Sequence, residues 1–406
     1  MTFIEKRNEL RPATGAAPFS LDEVFFSRTD ERGVIVAGNY VFRRVAHYDW
    51  ARMLGAPHKI IRHPDMPRAV FWLLWDRLKQ GRPVGAYVKN RASDGLHYWV
   101  FAVVAPCDGG FLSARIKPTS ALRDRIEQEY AALRALEREE DLAPEASAAL
   151  LLERLAALGF SSYERFATHA LVHELQARDE GIGDGPDRQL ARFVEMQRAA
   201  QDLHAATAAL VEDFRAMRTI PHNMQVIAAR LEPTGGPVST LSKNYRAVSK
   251  EMSDWFEANV VGSGSTFATI PDSVGLSTFL EGMTRILGEC DAQLTSERRS
   301  LGEVDLDGER RHLRKTAEVY DAKSLASLAR VRDEAQRILS ACNTMNRHVL
   351  GLSTTRLLCK MESGRLSGGG QGLAEIIVQL GTFQERIGAR LDRIAGASKE
   401  ILDLST

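Results

Sequence analysis

The side chains able to do chemistry are mostly scattered along this 406-residue chain, and their scatter excludes several chemistries. Cys107, Cys290, Cys342 and Cys359 lie far apart with no CxxC pair, which argues against a zinc knuckle, an iron–sulfur cluster or a disulfide framework. They read as small buried or half-buried residues. The glycine run from Gly368 to Gly372 lacks the lysine of a phosphate cradle, and no P-loop, GGDEF-like string or histidine-kinase ATP lid occurs, so no catalytic domain is expected. His204, His222 and His348 lie on or beside helical segments, where a phosphoryl acceptor or an ordinary solvated histidine would sit. Only one stretch concentrates functional groups: Ile61-Arg62-His63-Pro64-Asp65-Met66-Pro67, with Phe71, Trp72 and Trp75 just after it. Asp65 there stands where it would cap a helix starting at Met66-Pro67, and the three aromatics also make an apolar helix face. His47, His58 and His63 in the same half keep an axial haem ligand open.

The elements that must position this stretch follow from periodicity. Val24 to Arg28 and Val34 to Gly38 predict a hairpin around Asp30-Glu31-Arg32-Gly33. Asn39 to Leu54 and Met66 to Gln80 predict helices, with Asn39 placed to cap the first and Gly81 to end the second. Val84 to Arg91, His97 to Ala105 and Gly110 to Lys117 predict three more strands joined by glycine turns. Five strands with short helices on one face make an α+β unit of normal domain size, and the cleft between sheet and helices suits a planar ligand.

Composition shifts at Pro118 from aromatic and valine-rich to alanine, leucine, glutamate and arginine-rich. Leu122, Ile126, Tyr130, Leu133 and Leu136 then recur at a three-to-four spacing, predicting a helix over Ala121 to Glu140 that projects from the last strand as a coiled-coil or bundle face. Further helices are predicted at Ala146 to Leu158, Ser162 to Arg178, Asp187 to Thr219, Val238 to Ala258, Ser273 to Arg299, Gly308 to Leu350 and Gly372 to Asp403. Breaks fall at Gly262 to Ser265 and Gly368 to Gly370. Ile227 to Glu232 before Gly235-Gly236, and Leu357 to Gly364 before Gly368, both read as helix ends leading into a glycine reversal, as in helical hairpins.

Lys plus Arg equals Asp plus Glu at 53 each, so no global field draws nucleic acid or an anionic membrane. The longest apolar runs, Ala69 to Trp75 and Trp99 to Pro106, fall short of the roughly 20 residues that span a bilayer. Charged residues from Glu5 to Arg11 leave no apolar core for a secretory signal, and a cytoplasmic protein is expected.

The heptapeptide at Ile61, followed by Phe71, Trp75, Val88-Lys89-Asn90-Arg91 and His97-Tyr98-Trp99-Val100, resembles the PAS domain of bacterial aerotaxis receptors over about Val24 to Pro118. The resemblance implies an α+β PAS domain at 20–118, a five-stranded antiparallel sheet with short helices, that binds FAD noncovalently. Carried over position by position, the family's FAD-binding residues fall on Asn39, Arg62, His63, Asp65, Trp75 and Asn90. Arg62 would then pair with a pyrophosphate oxygen, Asn39 and Asn90 would bond flavin heteroatoms or ribitol hydroxyls, and Trp75 would stack on a ring. Two features depart from the family: Val84 after Pro83 replaces a common Trp, and no membrane anchor is expected. No cysteine precedes Cys107, which removes LOV-type adduct chemistry. The remainder divides into a linker and helical region at 119–215 and a helical bundle at 216–406, a degenerate version of the family's signalling hairpin that Pro233 and Pro237 interrupt. The implied function is redox, oxygen or energy sensing without turnover, relayed through a homodimer to a chemotaxis kinase or adaptor. A cofactor-free PAS scaffold and a haem gas sensor are the alternatives, and a flavoenzyme ranks last.

Overall fold

The computed structural model describes residues 10–217, 220–232, 236–262, 264–297, 304–365 and 371–406. Pro233, Gly235, Ser263, the Gly368 to Gly370 run and the predicted helix ends Thr219 and Arg299 lie outside the described residues. Contacts divide the chain into two units, Met1–Ala191 with Gly275–Ala326 and Arg192–Val274 with Ser327–Thr406.

The first unit is built on β1 (Phe25–Thr29), β2 (Ile35–Gly38), β3 (Val84–Arg91), β4 (His97–Cys107) and β5 (Gly110–Ile116). All pairings are antiparallel and the order is β2-β1-β5-β4-β3, the five-stranded PAS arrangement expected from the sequence. Gly110, at φ 151°, begins β5 where a Cβ would lie 2.0 Å from the Thr29 carbonyl oxygen, so only glycine lets the two strands close.

Between β2 and β3 run α1 (Tyr40–Ala46), α2 (Trp50–Met53), a 3₁₀ turn (His58–Ile61) and α3 (Arg68–Lys79). The single helix predicted over Asn39 to Leu54 is therefore two. His47 adopts a left-handed conformation at φ 56°, and its N–H donates to the Arg43 and Arg44 carbonyls, which ends α1. Nor does Asp65 cap α3. Glu137 does so from a distant helix: its Oε1 accepts from the Arg68 N–H at 2.6 Å and the Ala69 N–H at 3.3 Å.

Helices α4 (Ala121–Glu139), α5 (Pro144–Ala157), α6 (Tyr163–Ile182), α7 (Arg188–Met217), α8 (Ile220–Leu231), α9 (Pro237–Phe256, running on into a π-helical turn over Glu257–Val261), α10 (Thr266–Ser296), α11 (Leu306–Ser363) and α12 (Gln371–Leu404) complete the described elements. Helix α4 does not project from the sheet as expected. Its stripe of Ile126, Tyr130 and Leu133 is buried, with the Tyr130 ring 6.4 Å from Trp99 of β4. The same spacing that would form a coiled-coil seam here docks on the protein's own strands, because an apolar stripe is indifferent to which apolar surface covers it.

Both faces of the sheet are consequently covered. One holds α1 to α3; the other is met by α4, by α6 through Tyr163 Oη donating to the Gly85 carbonyl at 3.1 Å, and by α10, whose Phe279 ring lies against Gly85. Glu174 of α6 is fully buried there and accepts from Tyr87 Oη of β3 at 2.7 Å and from the N–H groups of Thr119 at 2.6 Å and Ser120 at 3.1 Å.

The second unit is helical. In α11 the buried residues Val331, Ala335, Ile338, Cys342 and Met345 recur at four-three spacing and share one core with Ile376, Leu380, Phe383 and Ile387 of α12. The helix ends on either side of the two reversals read from the sequence are present, while the glycines between them lie outside the described residues: α8 ends at Leu231 and α9 begins at Pro237, α11 ends at Ser363 and α12 begins at Gln371. Glu232 braces the first by accepting from the Val238 and Ser239 N–H groups at 3.2 and 3.0 Å.

Candidate functional site

A cavity of about 320 Å³ lies between α3 and the sheet in the first unit. That is at the small end of ligand pockets and large enough for a fused ring system. Strand alternation decides what floors it. Phe111, Ser113 and Arg115 of β5 point one way, as do Ala102 and Val104 of β4 and Val88 and Asn90 of β3, and all of them line the cavity.

Three of the six residues singled out in the sequence meet here. Asn90 is 3% exposed, and its carboxamide makes no protein hydrogen bond among the described residues. Trp75 reaches down from α3, edge-on to the Phe111 ring at 5.2 Å. Arg62 leaves the 3₁₀ turn with its guanidinium over the Phe71 ring at 3.9 Å and Nη2 donating to the Met66 carbonyl at 3.3 Å. Its backbone bridges that of Asn90, fixing the turn to β3.

The other three do not line the cavity. Asn39 is fully buried and spent on the fold: Oδ1 accepts from the N–H groups of Phe26 at 3.0 Å and Phe42 at 3.1 Å, and Nδ2 donates to the Val24 carbonyl at 2.8 Å and to Glu297 at 3.3 Å. It is the α1 cap that its residue type suggested. His63 accepts from the Asp65 N–H at 3.2 Å through Nδ1 and donates its own N–H to the Lys89 carbonyl at 3.3 Å. Burial pushes its imidazole below the ordinary histidine range, with help from Lys89. Asp65 lies half exposed, 3.4 Å from Lys89 Nζ. This pair braces the turn that carries Arg62.

Sequence reasoning overlooked Ser113 and Arg115, and considered His58 only as a haem ligand. Arg115 is 3% exposed; its Nη2 donates to Ser27 Oγ and to His58 Nε2, both at 2.7 Å, while Nη1 has no partner among the described residues. Ser113 Oγ is also buried without a partner among the described residues. Burial, and then the charge of Arg115, pushes His58 down to about 3, so the imidazole is neutral and its Nε2 is an acceptor. Burial lowers Arg115 to about 10, which leaves it a cation at neutral pH. The signal was there: an arginine and a serine at alternate positions of an otherwise apolar strand, on the side of Phe111.

A second, open groove of about 640 Å³ shares Arg32, Arg62, Phe71 and Trp75 with the cavity and adds Arg68 and Lys79. The inner space is apolar with a few fixed donors; the outer one gathers four cations, Arg32, Arg62, Arg68 and Lys79, against two carboxylates, Glu31 and Asp76. A ring joined to a diphosphate fits that division.

No family model matches the chain. Curated relatives do match. Over 123 residues the chain is 38% identical to the aerotaxis receptor of Escherichia coli (strain K12), a match covering 29% of this chain and 24% of that protein. The chain thus spans about a quarter of that relative's length in a PAS-sized region. Among solved structures, the light state of the blue-light photoreceptor Aureochrome1 LOV aligns over 27% of this chain and 91% of that one, at 14% identity and a TM-score of 0.24. No described helix is long and apolar enough to cross a membrane.

Proposed function

We propose that this chain is a PAS-based signal-transduction sensor holding FAD, with the ring system in the inner cavity and the diphosphate and adenosine in the outer groove. The observation that carries the reading is Arg62, common to both spaces and braced by its backbone bridge to Asn90. Trp75 and Asn90 would orient the ring, and Arg62 with Arg32 and Arg68 would meet the diphosphate. The cofactor supplies redox chemistry. Haem is less well served, since His58, the histidine in the cavity wall, gives its Nε2 to Arg115. Turnover is not part of the proposal, because His58 and Arg115 are committed to each other rather than to a substrate.

The sensed state would pass along β3, where Asn90 faces the cavity and Tyr87 faces Glu174, to the Thr119-Ser120 segment that opens α4. A downstream partner, of the chemotaxis kinase or adaptor kind, or a second copy of the chain, would read the helices. Leu350, Leu357 and Met361 on one face of α11 remain exposed and support such a surface. The free cysteines suit a reducing cytoplasm.

Calorimetric titration of the ligand-free protein tests the two-space assignment. FAD is expected to bind at least about tenfold more tightly than the bare ring compound lumichrome, through charge-assisted bonds in the outer groove. Equal affinity would remove the groove from the site, and binding of neither would remove the flavin.

A further inference from the structure

Arg115 is costly to the protein that carries it. A guanidinium taken out of water needs a counter-charge or a full set of acceptors, and removing that compensation costs several kcal/mol. Here the cation is 3% exposed, no carboxylate among the described residues faces it, and its two partners, Ser27 Oγ and His58 Nε2, are neutral. They do position it. Both hold Nη2, His58 lies parallel to the Phe42 ring at 5.8 Å, and Phe42 sits 5.1 Å beneath the guanidinium. The free Nη1 and the unpartnered Ser113 Oγ belong to the same cavity floor. A rigidly aimed, uncompensated cation beside a free hydroxyl is the arrangement expected where a ligand delivers the missing negative charge.

We propose that Arg115 and Ser113 form an acceptor-recognising subsite for the electron-rich edge of the bound ring, and that it selects the redox form whose edge is anionic. The proposal rests on the flavin reading above. Two electrons from a reductant and one proton from solvent leave a flavin ring with one net negative charge spread over N1 and the C2 carbonyl. The reduced ring therefore presents an anion to Nη1, the oxidised ring only a neutral carbonyl, and the charge-assisted bond is the stronger. His58 acts as a positioning residue: it takes no proton and keeps Arg115 turned toward the ring.

The test is an anaerobic titration of the full ligand-free chain with FAD, oxidised or reduced by dithionite, followed by quenching of tryptophan fluorescence. The unaltered protein is expected to bind the reduced form about tenfold more tightly. Arg115→Met should still take up oxidised FAD but bring the ratio to about one. Ligand-free Arg115→Met should melt no lower than the unaltered protein, since it loses a buried unpaired charge. An unchanged ratio in Arg115→Met overturns the proposal while leaving the flavin site intact. If that variant binds neither form, Arg115→Lys decides: it keeps the charge and should keep the preference, and a ratio of one overturns the proposal. Failure of the unaltered protein to take up FAD overturns the flavin reading itself and the subsite with it.

Discussion

Two asparagines of the same chemical type occupy opposite roles, and they separate fold from ligand. Asn39 uses its whole carboxamide within the protein, whereas Asn90 presents its amide to the cavity. Asn39→Ala should destabilise the protein by ~2 kcal/mol, read by urea unfolding, because it orphans buried Phe26 and Phe42 N–H groups. Asn90→Ala should leave the urea midpoint nearly unchanged and weaken FAD binding by about tenfold in an equilibrium titration. The reverse pattern would exchange their roles. The sequence made Asn39, Arg62 and Trp75 visible as types, but it could not say that Asn39 faces away from the cavity, since that depends on Val24, Phe26 and Glu297 arriving around it. Arg115 was readable only in retrospect: its strand position is local, but that no acidic group among the described residues pairs with it is a fact about the whole unit.

At the scale of elements, buried carboxylates from distant helices hold the PAS core, and a local reading misses each of them. Glu137 caps α3 from α4, where the nearby Asp65 looked sufficient. Glu297, just beyond α10, accepts from the Tyr40 N–H at 2.7 Å and from Gln293 Nε2 at 2.7 Å, capping α1 alongside Asn39. Burial raises Glu297 to about 7, against the weaker lowering by Gln293 and the α1 N–H groups. Its folded value exceeds its unfolded one, so the folded state binds the proton more tightly. Stability is therefore lost as pH rises from the ordinary carboxyl range through about 7, by at most ~3 kcal/mol, and Glu297→Gln should flatten that slope in urea titrations between those limits. A slope of opposite sign would contradict the assignment. Glu174 joins β3 to the start of α4. Glu174→Gln should speed hydrogen exchange at Thr119 and Ser120 by about tenfold while sparing the central β4 amides, because the Gln amide can accept only through one oxygen. Uniform acceleration across the sheet would mean that Glu174 serves general stability only.

At the scale of the molecule, the order of the strands and of the longer helices, the change at Pro118 and the ends of α8 and α11 followed from periodicity and glycine placement, which are local signals. What sequence order concealed is that the first unit takes back Gly275–Ala326 from late in the chain, so that α10 meets the sheet. The apolar outer face of Phe101 and Leu112 was legible as strand; its cover was not, because any apolar helix satisfies the same pattern. A PAS sheet closed on both faces within one chain makes the cavity, the Glu174 junction and α4 parts of one compact unit, and the claim that joins them is that a redox cofactor sits in that cavity. The measurement that tests it most directly is an absorption spectrum of the purified, FAD-incubated protein before and after dithionite. The account predicts paired bands near about 375 and 450 nm that bleach on reduction. A featureless spectrum would contradict it, and so would a single intense band near about 410 nm, which would assign the cavity to haem.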